Sequence, residues 1–204
     1  MANSLPRLIV FSDTTRAAPA LMLARFTALA ARAEVGSVLF TLRDYTLPVR
    51  ERWALGERLA ELSARTQQIF GIGERADLAR AFGCAAFHLP RNGLSAADAR
   101  SYLGSKVLLS RGCHDPASAV EGDLDAVLLS PIFEARKGRP ALGIAALERA
   151  GVAHPGPARF ALGAVSAFNA AACLGAGAAG VAVIGAALEA DPEPLLAALG
   201  ILRR

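Results

Sequence analysis

The stretch from Val107 to Pro116, VLLSRGCHDP, places a histidine at the point where an apolar run gives way to polar residues. His114 stands directly before Asp115-Pro116, a pair that favours a helix start because Asp is a good N-cap and Pro suits the first helical position. An imidazole exchanges a proton near neutral pH with little adjustment of its pKa. We therefore predict that His114 is a general acid/base at a strand-to-helix turn. A histidine that only hydrogen-bonds the backbone is the alternative.

Small residues follow two later apolar runs and could form an anion site. The stretch LGAVSAFN contains Gly163 and Ala164, and the stretch VAVIGAAL contains Ile184 and Gly185. Backbone N–H groups at the start of a helix can hold a phosphate, although glycine is also used where a helix packs closely on a sheet. These four residues are the predicted phosphate-binding residues.

Arg43 and a basic loop are candidates for holding an anionic substrate. Arg43 follows the apolar run LFTL, and its planar guanidinium suits a carboxylate or a phosphate. An exposed arginine at the rim of the fold is the alternative. The stretch IFEARKGRPALG carries Lys137 between arginines, and it could close over an anion or form a solvated connection.

The histidines and carboxylates do not form an evident metal site. His88, His114 and His154 are far apart in sequence and lack the spacing of metal ligands on a helix. We therefore expect no metal and no other cofactor. If a magnesium-bound pyrophosphate were the substrate, carboxylate oxygens would bind the metal, and the candidate ligands would be Asp13, Asp44 and Glu74.

Composition and charge indicate a globular protein of the reducing cytoplasm. The 204 residues are 53% hydrophobic, and the net charge of +4 comes from scattered Lys and Arg rather than a basic stripe, so we expect no nucleic-acid partner. The cysteines Cys84, Cys113 and Cys173 do not pair evenly and stand in apolar or helical context, which is typical of buried thiols. We expect no targeting signal and no membrane partner, since the longest apolar stretches are rich in Gly and Ala.

Eight short apolar runs must position these residues, and a helical pattern follows each of them. The runs are LIVF, GSVLFTL, QQIFGI, AAFHLP, KVLLSR, AVLLSP, RFALGA and GVAVIG. Continuous apolar runs are typical of parallel strands that are covered on both faces. The repeat predicts an α/β fold, a small (β/α)₈ TIM barrel that forms a single domain over residues 1–204. The active site of such a barrel lies at the C-terminal ends of its strands.

The chain resembles the thiamine phosphate synthase/TenI superfamily over nearly its full length. The matching stretches are LIVFSD, FTLRDY, IGERADLARAFGCAAFHLP, SRGCHDPASAV, LDAVLLSPIFEARKGRPALG and LGAVSAFNAAACLGAGAAGVAVIGAAL. The resemblance implies a small barrel enzyme of thiamine biosynthesis whose small-molecule partner is a thiazole phosphate. Whether the protein forms a homodimer stays open.

Within this superfamily the residues are closer to the TenI branch. The synthase branch typically has Arg-Glu-Lys where this chain has Arg43-Asp44-Tyr45, and Asn-Asp where it has Gly73-Glu74. Gly93 stands where a second metal-binding aspartate is usual. The features shared with TenI proteins are Gly73-Glu74-Arg75, Leu89-Pro90, Arg111 three residues before His114, and Phe133-Glu134.

Resemblance to the TenI branch implies a thiazole tautomerase in which His114 moves the proton. Arg43 and Lys137 would hold the substrate carboxylate, and Arg111 and Glu134 are further substrate-binding candidates. One alternative is a Mg²⁺-dependent thiamine phosphate synthase, which joins a pyrimidine pyrophosphate to the thiazole phosphate, with Glu74 or Asp13 at the metal. The other alternative is a non-catalytic protein that binds thiazole or thiamine phosphate.

Overall fold

The computed structural model describes residues 5–90, 92–115, 123–136, 138–153 and 156–203. Eight parallel strands close into a barrel in the order of the sequence, so the predicted (β/α)₈ fold is confirmed. The strands are β1 (Leu8–Phe11), β2 (Val38–Leu42), β3 (Ile69–Gly73), β4 (Ala86–Leu89), β5 (Leu108–Cys113), β6 (Ala126–Leu129), β7 (Ala158–Leu162) and β8 (Gly180–Val183).

Helices follow the strands and form the outer layer. They are α1 (Pro19–Arg32), α2 (Val49–Arg65), α3 (Ala76–Ala81), α4 (Ala96–Leu103), α5 (Ala145–Ala153), α6 (Ala170–Gly175) and α7 (Glu193–Ala198), with a 3₁₀ helix at Gly185–Leu188. The helix predicted from Asp115 onwards, DPASAVEG, lies outside the described residues from position 116 to position 122. No described helix has both the length and the apolar character needed to cross a membrane.

The apolar residues form two layers, one inside the barrel and one between the strands and the helices. The inner layer contains Ile9, Phe11, Leu39, Ala86, Ala126, Leu128, Phe160 and Ala182. In the outer layer, α1 presents Met22, Phe26 and Leu29, which are spaced so that they share one face of the helix. Because both faces of each strand are buried, the strands read as continuous apolar runs in the sequence.

The cysteines belong to this packing. Cys84 and Cys173 are buried and form no disulfide, and Cys113 packs against the outer layer. Burial raises the pKa of the Cys84 thiol to about 12 and that of Cys173 to about 11, so both thiols stay protonated.

Gly180 makes room for a phenylalanine ring inside the barrel. A Cβ atom on Gly180 would lie 2.6 Å from Cε1 of Phe160 and would also collide with the Arg7 carbonyl oxygen. Phe160 is fully buried and is paired in register with Gly180 across β7 and β8. A bulky ring on one strand therefore requires a glycine on the next.

Gly180→Ala tests this packing. We expect the substitution to lower the free energy of unfolding by about 1–3 kcal/mol, because the added Cβ would collide with the Arg7 carbonyl oxygen and lie 2.6 Å from the Phe160 ring, so both must shift. The matched control is Gly175→Ala at the exposed end of α6, where a Cβ meets no atom within 4 Å. Urea unfolding should show the control unchanged or stabilised by up to about 1 kcal/mol, and equal effects of the two substitutions would refute the argument.

Candidate active site

The C-terminal ends of the strands meet at one rim of the barrel, which we call the mouth. Arg43 follows β2, Glu74 follows β3, His114 follows β5 and Glu134 lies beyond β6. The predicted phosphate-binding residues follow the last two strands: Gly163 and Ala164 come after β7, and Ile184 and Gly185 come after β8. Because the strands are parallel, these segments all lie on the side where active sites of such barrels are built.

His114 extends the inward-facing side of β5. Ser110 contacts His88 inside the barrel, and alternate residues of a strand share a face, so Gly112 and His114 fall on the same side as Ser110. The His114 ring is half-buried, and its Nδ1 lies 2.6 Å from the carbonyl oxygen of Ser130. A carbonyl oxygen only accepts, so Nδ1 carries the proton and Nε2 of the neutral ring keeps its lone pair.

The hydrogen bond to Ser130 is compatible with both interpretations of His114, as an acid/base group and as a histidine that bonds the backbone. The imidazole does bond to the backbone, as the alternative states, and that bond sets the tautomer that an acid/base group needs. No described residue accepts from or donates to Nε2 of His114, which leaves that atom available to a ligand.

Asp13 is a buried carboxylate with both oxygens engaged. Oδ1 accepts hydrogen bonds from the Thr15 amide at 3.2 Å and the Thr15 hydroxyl at 2.5 Å, and Oδ2 accepts from Nη2 of Arg43 at 2.7 Å. Burial alone would raise the pKa of Asp13, but the Thr15 hydroxyl and the charges of Arg43 and Arg16 lower it below the ordinary value. Asp13 is therefore an anion at neutral pH that orients Arg43.

Asp44 ties the loop after β1 to the loop after β2. Its Oδ2 accepts from the Ser12 hydroxyl, and its Oδ1 accepts from the Thr14 amide at 2.6 Å and the Thr14 hydroxyl at 2.7 Å. The Ser12 oxygen in turn accepts from the Arg43 amide at 2.9 Å. The polar residues that end these two strands thus build a fixed support for the Arg43 side chain.

The described carboxylates do not fit a Mg²⁺ site. Both oxygens of Asp13 are occupied by protein donors, and the Glu74 side chain is exposed on a residue with φ of 65°. Asp44 is equally engaged with hydroxyl and amide groups. Among the described residues, no group of three or more His, Cys, Asp or Glu side chains could hold a metal ion.

His88 forms part of the floor of the mouth. Its Nδ1 lies 2.9 Å from the Ser110 hydroxyl, and its ring meets Phe11 edge-on at 5.2 Å between centroids. Burial, together with the charges of Arg111 and Arg43, lowers the pKa of His88 to about 4. This histidine is therefore neutral at physiological pH.

Tyr45 and Arg52 cover the end of β3, and no motif in the sequence predicts the contact between them. The buried Arg52 donates from Nη2 to the Gly73 carbonyl oxygen at 2.7 Å, and its guanidinium carbon lies 5.4 Å from the Tyr45 ring centre. A Cβ on Gly73 would approach the Tyr45 hydroxyl to 2.9 Å, so the phenol occupies this edge of the mouth. Burial raises the pKa of Tyr45 to about 12, with the Glu74 charge adding to the shift, which keeps the hydroxyl protonated.

The remaining substrate-binding candidates are Arg111, Glu134 and Lys137. Arg111 stands between the inward-facing Ser110 and Gly112 on β5, so it lies on the helix-facing side of the strand. Its Nη2 donates to the Leu94 carbonyl oxygen at 2.9 Å. Glu134 is exposed, and Lys137 lies outside the described residues. Substrate contacts by these three residues stay predictions.

The turn after β7 uses two residues with positive φ. Gly163 is buried with φ of 109°, and a Cβ there would come within 2.9 Å of Cα of Pro131. The exposed Ala164 has φ of 54°, a left-handed conformation that costs a residue with a Cβ about 1–2 kcal/mol. Asn169 holds the turn, since its Oδ1 accepts from the Ser166 amide and its Nδ2 donates to the Ala164 carbonyl oxygen.

The strain at Ala164 predicts that Ala164→Gly stabilises the protein by up to about 1 kcal/mol, after the larger chain entropy of the unfolded glycine variant is subtracted. Thermal or urea unfolding measures the change. Ala172→Gly, at an exposed position in α6, is the matched control and should destabilise by about 1 kcal/mol. Destabilisation by both substitutions alike would show that position 164 stores no strain.

The low pKa of His88 predicts a loss of stability in mild acid. The folded value of about 4 lies below the ordinary 6.5, so in this window the unfolded chain binds a proton that the folded chain does not. The stability that depends on a neutral His88 ring is fully present above the pKa of the unfolded chain. It is lost progressively as the pH falls from there towards the folded pKa of about 4. Between about pH 7 and pH 5, urea unfolding should show the wild type losing about 1–2 kcal/mol more than His88→Asn. A His88 ring resonance that titrates at its ordinary pKa by NMR would contradict this.

Several known proteins are similar to this chain. Residues 14–187 match the family model described as Thiamine monophosphate synthase (TMP-TENI). The thiamine-phosphate synthase of Thermobifida fusca is 31% identical over 175 residues, which cover 83% of this chain and 80% of that protein. The thiamine-phosphate synthase of Thermus thermophilus is 33% identical over 175 residues, covering 82% of this chain and 84% of the other.

Among solved structures, the thiamine phosphate pyrophosphorylase from Pyrococcus furiosus superposes with a TM-score of 0.80 at 22% identity, over 98% of this chain and 97% of that one. At this identity the likeness shows the fold alone. The family model, in contrast, spans most of the chain, and both relatives align along most of their own length. This chain therefore belongs to the thiamine phosphate synthase/TenI family.

Proposed function

We propose that this protein binds a thiazole phosphate in the mouth of the barrel and isomerises it, with His114 as the group that transfers the proton. One observation carries the proposal: the Nδ1–H of His114 is donated to the Ser130 carbonyl oxygen, which leaves Nε2 without a partner among the described residues, on the inward side of the barrel wall. Family membership supports the substrate class, because the matching family model is described as a thiamine monophosphate synthase.

The reaction needs one proton-transferring group and no change of oxidation state. Nε2 of His114 takes a proton from one position of a carboxythiazole phosphate, and the resulting imidazolium returns a proton at another position. The exocyclic double bond thereby becomes part of an aromatic ring. A positioned acid/base group of this kind contributes about 10²–10⁴-fold in rate.

The other candidates have roles in holding the substrate. Arg43, oriented by Asp13, would pair with the carboxylate, together with Lys137. The phosphate would rest on the Gly163-Ala164 and Ile184-Gly185 turns. Arg111 remains a candidate for substrate binding, and its guanidinium donates to the Leu94 carbonyl oxygen on the helix-facing side of β5.

A Mg²⁺-dependent thiamine phosphate synthase is the second candidate. The names of the relatives favour this activity over the isomerisation, since both relatives compared above are thiamine-phosphate synthases. The described residues do not favour it, because the Asp13 oxygens are taken by Thr15 and Arg43 and the Glu74 side chain is exposed. We therefore derive no catalytic step through a metal.

His114→Asn is the test of the isomerisation. Asn keeps a side-chain N–H that can be donated to Ser130 but cannot exchange a proton, so we expect kcat for aromatisation to fall by about 10²–10⁴-fold with little change in KM. Absorbance of the aromatic thiazole measures the rate. Undiminished turnover by His114→Asn, or an equal loss in His88→Asn with its Ser110 contact retained, would remove His114 from this role.

The same preparation separates the two activities. Wild-type protein is mixed with a pyrimidine pyrophosphate and a thiazole phosphate, with and without Mg²⁺, and pyrophosphate release is measured. Release that requires Mg²⁺ and persists in His114→Asn would establish the synthase in place of the isomerase. Tight thiazole phosphate binding without either turnover would identify a non-catalytic binding protein.

A further inference from the structure

Arg16 lies in the loop between β1 and α1, and its guanidinium reaches the turn after β8. Its Nη1 is 3.4 Å from the position that a Cβ atom would take on Gly185. No described residue accepts a hydrogen bond from the terminal nitrogens of Arg16. The side chain is 43% exposed, so this end of the guanidinium is open to solvent and to a ligand.

Asp13 sets the direction of the Arg16 side chain. Nε of Arg16 lies 3.6 Å from Oδ2 of Asp13, and the same oxygen accepts from Nη2 of Arg43 at 2.7 Å. The Asp13 side chain is only 7% exposed and is held by Thr15, so it is a fixed point from which Arg16 extends. One buried carboxylate thus orients two guanidinium groups at the mouth.

The position of β1 in the sheet places these two groups on opposite sides of the strand. β1 pairs with β2 on one edge and with β8 on the other. Arg43 follows β2, whereas the Nη1 end of Arg16 lies beside Gly185 at the end of β8. The two arginines therefore serve different parts of the mouth, and Arg16 is the one beside the predicted phosphate turn.

We propose that Arg16 is a phosphate-binding residue that closes on the phosphate from the β1 side and supplies the positive charge that the two turns lack. The inference rests on the proposed function, because it assigns a partner to the phosphate of that substrate. A guanidinium presents parallel N–H donors that match two oxygens of a phosphate, and such charge-assisted hydrogen bonds are stronger than those from neutral amides. Gly185 has no side chain to separate the guanidinium from an oxygen bound at the turn.

This arrangement also gives Arg16 a role in specificity. A dianionic phosphate monoester gains a charge partner at the β8 turn, whereas the corresponding alcohol gains none. We therefore expect Arg16 to discriminate phosphorylated thiazoles from unphosphorylated ones, and to do so through binding rather than through the proton transfer at His114.

The experiment measures binding, so it does not depend on turnover. Isothermal titration of wild type, Arg16→Gln and Arg16→Lys is carried out with a thiazole phosphate, its dephosphorylated alcohol and inorganic phosphate. We expect Arg16→Gln to weaken thiazole phosphate binding about tenfold and to leave the alcohol unaffected, with Arg16→Lys between wild type and Gln. The matched control is Arg58→Gln on the exposed face of α2, which removes the same charge away from the mouth and should change nothing.

Each result bears on a different statement. Equal thiazole phosphate affinity in wild type and Arg16→Gln would overturn the role of Arg16 and leave the phosphate site in place. Equal losses in Arg16→Gln and Arg58→Gln would also overturn it, since the effect would then come from net charge alone. A wild-type protein that binds the phosphate and the alcohol equally would overturn the phosphate site itself, and with it this inference.

Discussion

Closure of the sheet between β8 and β1 is the constraint on which the site depends. The pairing of Leu8 with Val181 brings the last strand back to the first, so the loop that carries Asp13 lies beside the turn that follows β8. In an open sheet those two segments would be at opposite edges. Closure also fixes the volume inside the barrel, and the Phe160 ring occupies part of that volume next to Gly180. The same contacts that stabilise the barrel therefore decide which loops share the mouth.

The arrangement of charges at the mouth depends on two carboxylates that accept hydrogen bonds from other groups of the protein. Asp13 and Asp44 are buried, and each accepts hydrogen bonds at both oxygens from neighbouring hydroxyl, amide or guanidinium groups. Asp13 orients the basic side chains of Arg16 and Arg43, and Asp44 holds the loop after β1 in place beside them.

Much of the architecture could be predicted from the sequence because strands buried on both faces leave continuous apolar runs, as LIVF and AVLL do here. The place of His114 was predictable for the same reason, since the apolar run on β5 marks where the mouth begins. The orientation of Arg111 follows only from the strand register: it stands three residues before His114, and the two-residue alternation of a strand turns it to the helix-facing side of β5. The partnership of Asp13 with Arg43 and Arg16 depends on contacts between loops, which no local pattern records.

The contact between His114 and Ser130 has an evolutionary consequence. An acid/base imidazole is usually oriented by an Asp or Glu side chain, and loss of that residue shows in the sequence as a substitution. Here the orienting group is a main-chain oxygen, which every amino acid supplies. The residue at position 130 can therefore change while the tautomer of His114 is preserved, and no acidic side chain is required to orient this imidazole.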